Sequence, residues 1–239
     1  MLKVLLTGHS RGLGAALCQT LAAHGADILA LARHDTVTPA PRLTHVSLDL
    51  SDARALANWL ATDALARHFD GASTAVLINN AGSVEPLGDD RKLAPAAIAS
   101  TVALNVAAPL MLGAAFLTAT EHCRDRRLLH VSSGAARSPY AGWSVYCATK
   151  AALDQHARAL HAADLPGLRV ESLAPGVIDT AMQTVIRASD PAGFPRHARF
   201  VTLHADGQLQ DADTTAAQLV THLLGERFGN DPVSDLRTL

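Results

Sequence analysis

Apolar runs alternate with helical periodicity from the start of the chain. Short, unbroken apolar stretches predict buried strands at residues 3–6 and 28–32. Between them, leucines recur every fourth residue from Leu13 to Leu21 and would share one face of a helix. Gly25 then stands where a helix C-terminus favours glycine. This strand, helix, strand order is typical of a βαβ unit.

The same alternation continues toward the C-terminus. Further strands are predicted at residues 46–48, 75–78, 128–131 and 170–174, and further helices at residues 52–69, with Ser51 as N-cap, 96–123, 144–163 and 214–224. The strands are apolar throughout rather than alternating, so we expect helices to cover both faces of a parallel sheet. The predicted fold class is therefore α/β, a single-domain Rossmann-type doubly wound parallel sheet that spans residues 1–239.

One long segment departs from this alternation. Residues 176–210 include Pro191, Gly193, Pro195 and Gly207. A connection of this length is uncommon inside a compact domain unless it has a function. We therefore predict that it forms a lid over the active site.

Composition and charge exclude several classes of protein. The 239 residues are 49% hydrophobic with a mean hydropathy of +0.15, which excludes a disordered chain. The 20 basic residues are dispersed among 22 acidic ones, so no nucleic-acid partner is expected. Three cysteines without CxxC spacing favour free thiols in a reducing compartment, which predicts a cytoplasmic protein. The 12 histidines are scattered without metal-ligand spacing, so no metal site is expected.

Residues 93–120 carry no charged side chain and are long enough to span a bilayer. Pro95, Asn105 and Pro109 interrupt the stretch, and Ala, Ser and Thr outnumber Leu and Ile within it. This composition favours a buried or subunit-facing helix over a membrane span. We expect no membrane association.

A glycine-rich turn directly follows the first predicted strand. Thr7-Gly8-His9-Ser10-Arg11-Gly12-Leu13-Gly14 opens the first helix. Glycines at such a turn let the backbone approach a pyrophosphate, whose charge the helix N-terminus would bind. An ordinary strand-to-helix turn is the alternative, and the strand, turn, helix context favours the dinucleotide site.

A second group of residues has the composition of a catalytic site. Tyr146 and Lys150 lie four residues apart on one predicted helix and are therefore stacked one turn above the other. The ammonium would favour the phenolate and lower the tyrosine pKa toward neutrality. Ser132 and Ser133 end a predicted strand just upstream, at the edge where parallel sheets bind their ligands.

Together, these residues resemble the short-chain dehydrogenase/reductase family in its one-domain form. The motifs that carry the resemblance are the TGxxxGxG turn at 7–14, Asp49-Leu50, Asn79-Asn80-Ala81-Gly82, Asn105, Ser133, Tyr146, Lys150, and Pro175-Gly176 followed by Thr180. They occur in the family's order over nearly the whole chain. The family places its catalytic serine thirteen positions before the tyrosine. Counting back thirteen positions from Tyr146 gives Ser133, so Ser133 is assigned to catalysis and Ser132 to a structural role.

The resemblance implies the chemistry. Tyr146 would donate a proton to a carbonyl oxygen while a nicotinamide delivers hydride, and Ser133 would hydrogen-bond that oxygen. Lys150 would bind the nicotinamide ribose, and Asn105 would hold a water that links Lys150 to solvent. The implied cofactor-binding residues are Gly8, Ser10, Arg11, Gly12, Leu13, Gly14, Asp49, Leu50, Asn80, Ala81, Gly82, Tyr146, Lys150, Pro175, Gly176, Val177, Ile178 and Thr180.

The end of the second strand bears on cofactor choice. NAD-preferring folds place an acid there to bind the ribose 2′-hydroxyl, and this strand instead ends in Arg33. Arg33 and Arg11 together can bind a 2′-phosphate, which favours NADP(H). Asp35 lies further along, so NAD(H) is less expected without being excluded.

A narrower resemblance concerns the substrate. Residues 139–147 and 174–183 are similar to the corresponding segments of sepiapterin reductases and bacterial benzil reductases, which reduce ketones of bulky substrates with NADPH. Trp143, Met182 and Phe194 are the candidate pocket wall, with Ser133 on the reacting oxygen. Asp235 falls where sepiapterin reductases carry a substrate-anchoring aspartate.

The leading interpretation is therefore an NADPH-dependent reductase of a ketone or dicarbonyl substrate. An NAD-linked alcohol dehydrogenase and a non-catalytic NADP-binding sensor protein are the alternatives. Relatives commonly pair through two long helices, here near 96–123 and 144–163, so a homodimer or homotetramer is expected.

Overall fold

A computed structural model describes residues 1–35 and 40–239. Seven strands form one parallel sheet in the order β3-β2-β1-β4-β5-β6-β7. They are β1 Leu2–Thr7, β2 Asp27–Ala32, β3 Leu43–Ser47, β4 Thr74–Asn79, β5 Asp125–Val131, β6 Leu168–Ala174 and β7 Val233–Asp235. The single-domain α/β prediction is confirmed.

Helices cover both faces of this sheet. They are α1 Gly12–Ala23, α2 Ala53–Leu60, α3 Ala64–Phe69, α4 Pro95–Val102, α5 Ala108–Ala119, α6 Ser144–Ala162, α7 Ala181–Arg187, α8 His197–Ala205 and α9 Ala212–Leu224, and a π-helical turn, Ala103–Ala107, joins α4 to α5. One core lies between the sheet and helices α1 and α9, and includes Phe228. The other contains Phe69 and Phe116, which meet edge to face at 5.3 Å.

The predicted helix at 52–69 is wrong in two respects. It breaks after Leu60 into α2 and α3. Its N-cap is Asp52, whose side chain accepts hydrogen bonds from the Arg54 and Ala55 amides at 3.0 Å. The hydroxyl of Ser51 instead donates to Asp49 at 2.7 Å.

Strands at the two sheet edges are the least well predicted. β3 begins at Leu43 and ends at Ser47, earlier than the predicted 46–48, and its residues are only partly buried or exposed. β7 was not predicted, because three residues carry no usable period. It forms by pairing Val233 with Ser172 and Asp235 with Ala174.

The segment 176–210 is more ordered than a loop. It contains α7 and α8, and its ends are joined where the Gln210 amide donates to the Val177 carbonyl at 2.8 Å. The Asp179 amide donates to the Gln210 carbonyl at 2.9 Å. Whether the segment closes on substrate stays a prediction.

The continuous helical run from α4 through α5, Pro95–Ala119, is long and apolar enough to cross a membrane by length and composition alone. A single helix of this kind is weak evidence, because core helices of soluble proteins pass the same test. Its α5 half packs Leu112 and Phe116 into the core below the sheet.

Candidate active site

The glycine turn between β1 and α1 is held by the end of β4. Asn80 Nδ2 donates to the carbonyls of Thr7 and Gly8, at 3.0 and 3.1 Å. The Thr7 hydroxyl accepts from the amides of Asn80 and Ala81, each at 3.0 Å. At Gly14, a Cβ atom would lie 1.9 Å from the Gly8 carbonyl oxygen, so only glycine fits there. The motif residues of two separate strands thus form one rigid unit.

This unit has the form of a dinucleotide cradle. Gly8 and Gly12 have φ values of +73° and +54°, which glycine adopts without strain. Arg11, the N-cap residue of α1, makes no capping hydrogen bond through its side chain, so the N-terminus of this helix can bind an anion. A Cβ at Gly12 would lie 3.0 Å from Thr180 Cγ2, so the segment after β6 borders the same turn. The predicted cofactor residues here fit a pyrophosphate.

Residues expected at the adenosine end lie beside this turn. Arg11 and Arg33 are exposed. Asp49 accepts from the Ser51 amide and hydroxyl, and these hydrogen bonds lower the pKa of the Asp49 carboxyl. Leu50 is buried.

Ser133 and Tyr146 meet at the carboxyl end of β5. Ser133 caps a short 3₁₀ turn, where its hydroxyl accepts from the Ala135 amide at 3.2 Å. Burial raises the pKa of Tyr146 to about 12, an effect that a hydrogen bond with Ser133 partly opposes. The prediction that Lys150 lowers the tyrosine pKa is wrong for this structure, because desolvation dominates. Tyr146 therefore carries its proton at neutral pH.

Lys150 is buried and lies 5.8 Å from the centre of the Tyr146 ring. Its ammonium donates to the Val131 carbonyl at 2.8 Å rather than to the phenol. Burial lowers the pKa of Lys150 to about 8, and the nearby Asp154 limits that fall.

Asn105 lies in the π-helical turn between α4 and α5 and is fully buried. Its side-chain oxygen accepts from the Ser83 amide at 2.9 Å, and its side-chain nitrogen donates to the Ser83 carbonyl at 2.8 Å. A Cβ at Gly82 would lie 3.3 Å from Asn105 Oδ1 and 3.6 Å from Lys150 Nζ, so both side chains border Gly82. The structure thus brings Asn105 and Lys150 together.

Asp154 organises the site and was missed from the sequence. It lies two helical turns from Tyr146 on α6 and is 2% exposed. One carboxylate oxygen accepts from the hydroxyls of Ser132 and Ser172 at 2.6 and 2.7 Å, and the other accepts from Arg137 Nε at 3.1 Å. This single carboxylate therefore ties β5 and β6 to α6 beside Ser133. Acidic residues on helices are common, so the sequence gives no signal for this role.

Pro175 and Gly176, which are expected on the nicotinamide side, directly follow β6. Gly176 has a φ of +95°, a backbone conformation that favours glycine, and the end of the Gln210 side chain lies against it. Val177 and Ile178 continue toward Thr180, and Ile178 is buried in the core beside α1.

The candidate pocket residues form an aromatic cluster. Trp143 is 4% exposed, stacks on Phe194 at 4.8 Å and meets the Tyr146 ring edge-on at 5.3 Å. Phe194 is fully buried, and Met182 is partly buried against the same cluster. Asp235 is bound by Arg237, whose Nη2 lies 2.6 Å from Asp235 Oδ2. Contact of these residues with a substrate stays a prediction.

Comparison with known proteins identifies the family. The family model for short chain dehydrogenases matches residues 3–191. The chain belongs to this family.

The chain is 32% identical to the benzil reductase ((S)-benzoin forming) of Bacillus subtilis (strain 168), over 98% of this chain and 97% of that protein. It is 33% identical to the sepiapterin reductase of Meriones unguiculatus, over 94% of this chain and 92% of the relative. The resemblance to both groups is thus confirmed.

Solved structures agree with the fold. A short-chain dehydrogenase/reductase from Burkholderia vietnamiensis is 42% identical, with a TM-score of 0.72 over 100% of this chain and 98% of that one. A short chain dehydrogenase from Burkholderia cenocepacia J2315, in complex with NADP, is 28% identical, with a TM-score of 0.76 over 98% of this chain and 94% of the other. The chain is therefore an oxidoreductase of the CH–OH/C=O class that uses a nicotinamide cofactor.

We expect Lys150→Met to change how stability depends on pH. The pKa of Lys150 is about 8 when folded, against 10.5 for the unperturbed side chain. Between pH 8 and pH 10.5 the unfolded wild-type chain binds more protons than the folded one. The free energy of unfolding of the wild type therefore rises relative to that of the variant as pH increases. The difference in the free energy of unfolding between wild type and Lys150→Met should change by on the order of 3 kcal/mol across this pH interval.

Urea unfolding across the interval from pH 8 to 10.5 measures this difference. Lys92→Met, at an exposed lysine, is the matched control and should give a curve parallel to the wild type. A parallel curve for Lys150→Met as well would contradict the prediction.

Proposed function

We propose that this chain is an NADPH-dependent reductase that converts a ketone or dicarbonyl substrate to a secondary alcohol. The observation that carries the proposal is the contact between Ser133 and a buried, protonated Tyr146 at the carboxyl edge of the sheet. A neutral phenol in that position can donate its proton to a carbonyl oxygen, and the serine hydroxyl can hydrogen-bond the same oxygen.

The reaction balances with one external reductant. NADPH supplies the hydride to the carbonyl carbon when bound. Tyr146 gives its proton to the carbonyl oxygen, which completes the alcohol and leaves a phenolate. Lys150, with a pKa of about 8, is poised to stabilise that phenolate and to return a proton near neutral pH.

Asn105 Oδ1 and Lys150 Nζ both border Gly82, and this placement supports a path by which the proton on Lys150 is replaced. Both ends of the Asn105 amide are engaged by Ser83, so the side chain has a fixed orientation. We assign Asn105 to holding a water on this path.

Preference for NADP(H) rests on charge at the adenosine end. Arg11 and Arg33 are exposed beside the glycine turn and can form bidentate contacts with a 2′-phosphate. Asp35 Oδ1 lies 3.6 Å from His9 Nε2. The NADP complex of the Burkholderia cenocepacia relative is consistent with this preference.

The named relatives and the aromatic cluster support a flat, bulky substrate. Benzil and sepiapterin reductases are similar to this chain over almost its full length. Trp143 connects the Tyr146 ring to Phe194, so an aromatic substrate at Tyr146 would meet an apolar surface. Movement of the 176–210 segment would open this surface, with Met182 on its edge and Asp235 at the end of β7.

The alternatives predict different behaviour. A sensor protein would bind the cofactor without turnover, and nothing in such a role requires Ser133, Tyr146 and Lys150 to converge. An NAD-linked alcohol dehydrogenase would use the same three residues and would prefer NADH in reduction.

Replacing Tyr146 by Phe should reduce kcat by at least about a thousandfold, because only the proton donor is lost. The ring contact with Trp143 is retained, so folding and cofactor binding should be unchanged. Reduction of a diketone such as benzil, with NADPH binding measured by fluorescence, tests both expectations. Turnover within tenfold of wild type would contradict the assigned role of Tyr146.

Arg33→Asp should weaken NADPH binding far more than NADH binding, because it removes a phosphate partner and adds a repelling charge. The fold-loss of affinity for NADPH should exceed the fold-loss for NADH by about tenfold or more. Arg124→Asp is the matched control. Arg124 is exposed and directly precedes β5, so it lies at the amino ends of the strands, away from Arg33 at the carboxyl end of β2. Equal losses for both cofactors would show that Arg33 does not bind the 2′-phosphate.

We further propose that the protein is a homodimer or homotetramer through α4 and α6. Ile98, Val102 and Val106 line an apolar groove with Val145 and Ala148 of α6. Val102 lines this groove and is 41% exposed, so a partner chain that covers the groove would bury apolar surface there.

Val102→Glu should convert the oligomer to a 25.0 kDa monomer in sedimentation velocity, because it buries a charge at the interface. Val201→Glu is the control, since Val201 on α8 is also 41% exposed and lies outside this groove. A wild-type chain that sediments only as a monomer at micromolar concentration would overturn the proposal.

A further inference from the structure

Three residues far apart in the sequence converge beside the glycine turn. His9 lies within the turn, Asp35 follows β2, and His45 lies on β3. His9 Nε2 is 3.2 Å from His45 Nδ1 and 3.6 Å from Asp35 Oδ1, and His45 Nδ1 is 4.0 Å from the same carboxylate oxygen. Their ligand atoms thus form a compact triangle.

The size of this triangle matches a transition-metal site. Zinc bound to imidazole nitrogen and carboxylate oxygen has bond lengths of about 2.0–2.2 Å, which places neighbouring tetrahedral ligands about 3.4 Å apart. The separations of 3.2 and 3.6 Å lie close to that value, and the third, between His45 Nδ1 and Asp35 Oδ1, is longer at 4.0 Å. Small side-chain rotations that move these atoms by a few tenths of an ångström would place all three at bonding distance from one ion.

Burial and charge are also suitable for a metal ion. His9 is fully buried, the side chain of His45 is 19% exposed, and that of Asp35 is 61% exposed. The site therefore has a buried inner ligand, His9, and an exposed outer ligand, Asp35. Two imidazoles and one carboxylate favour Zn²⁺ or Co²⁺ over Mg²⁺ or Ca²⁺, which prefer all-oxygen sites.

We propose that His9, Asp35 and His45 form a binding site for one zinc ion, with a fourth position open to water. Three protein ligands and an open position are an established form of zinc coordination. The three ligands belong to the β1–α1 turn, the segment after β2, and β3. A bound ion therefore cross-links the structures around the adenosine end of the cofactor cradle, and it does so without taking part in the reaction at Tyr146.

The sequence could not indicate this site. His9 and His45 are 36 positions apart, and no ligand pair has the spacing of a zinc motif. The parallel pairing of β1, β2 and β3 brings the three residues together.

The direct test uses untagged protein that has been treated with EDTA and desalted. We expect isothermal titration with ZnSO₄ to show one equivalent bound with a Kd in the micromolar range or tighter. Co²⁺ should give the visible absorption of a nitrogen- and oxygen-ligated ion with four or five ligands. Zinc should also raise the melting temperature, because it binds the folded state only.

His45→Ala and Asp35→Asn should each weaken zinc binding at least tenfold and remove the rise in melting temperature. His34→Ala is the matched control, since His34 is an exposed histidine next to Asp35 and should leave zinc binding unchanged. Asp35→Asn affects an exposed side chain, so it tests the site even if His45→Ala fails to fold.

Absence of a stoichiometric zinc isotherm would overturn the proposal and leave the two histidines as a hydrogen-bonded pair. Binding that persists equally in His45→Ala and Asp35→Asn would also overturn it, because the ion would then occupy other histidines. None of these measurements involves turnover, so the result is independent of the proposed reductase activity.

Discussion

The parallel alignment of all seven strands is the constraint on which the site depends. Parallel pairing brings every strand's carboxyl end to one edge, so residues that follow different strands must meet there. Leu6 of β1 pairs with Ile78 of β4, which places the glycine turn directly beside Asn80. The hydrogen bonds from Asn80 to the turn follow from that register. A shift of one residue would separate them and would also turn apolar side chains away from the core.

The charged side chains buried near the carboxyl ends of the strands are tolerated because each has hydrogen-bonding partners. Asp154 satisfies its oxygens with two serine hydroxyls and Arg137, and thereby fixes β5, β6 and the start of the turn that holds Ser133. Lys150 donates to a backbone carbonyl and gains only partial compensation from Asp154. Burial acts in opposite directions on the two reacting groups, since it raises the pKa of Tyr146 and lowers that of Lys150. The two pKa values therefore move apart, which favours transfer of a proton from the Lys150 ammonium to a Tyr146 phenolate.

The aromatic cluster connects the 176–210 segment to Tyr146. Trp143 contacts Tyr146 on one side and Phe194 and Phe200 on the other, so α6 and the 176–210 segment share one small core. Each such aromatic contact is worth about 0.5–1.5 kcal/mol beyond area burial. The 176–210 segment and Tyr146 are therefore linked through the side chains of one small cluster.

The sequence by itself determined the α/β class, the approximate positions of the six longer strands and the glycine turn, and it named Ser133, Asn105, Tyr146 and Lys150 as candidates for one site. It could do so because strand burial, helix period and the order of the motifs are local properties of the chain. β7, the break between α2 and α3, and the role of Asp154 were decided by tertiary structure. Short edge strands form only against a neighbour, and a carboxylate becomes a structural centre only when distant hydroxyls and a guanidinium surround it. The pKa of Tyr146 was also decided by tertiary structure. The spacing in the sequence predicts that Lys150 lies near the tyrosine, but it does not predict the burial that dominates the pKa.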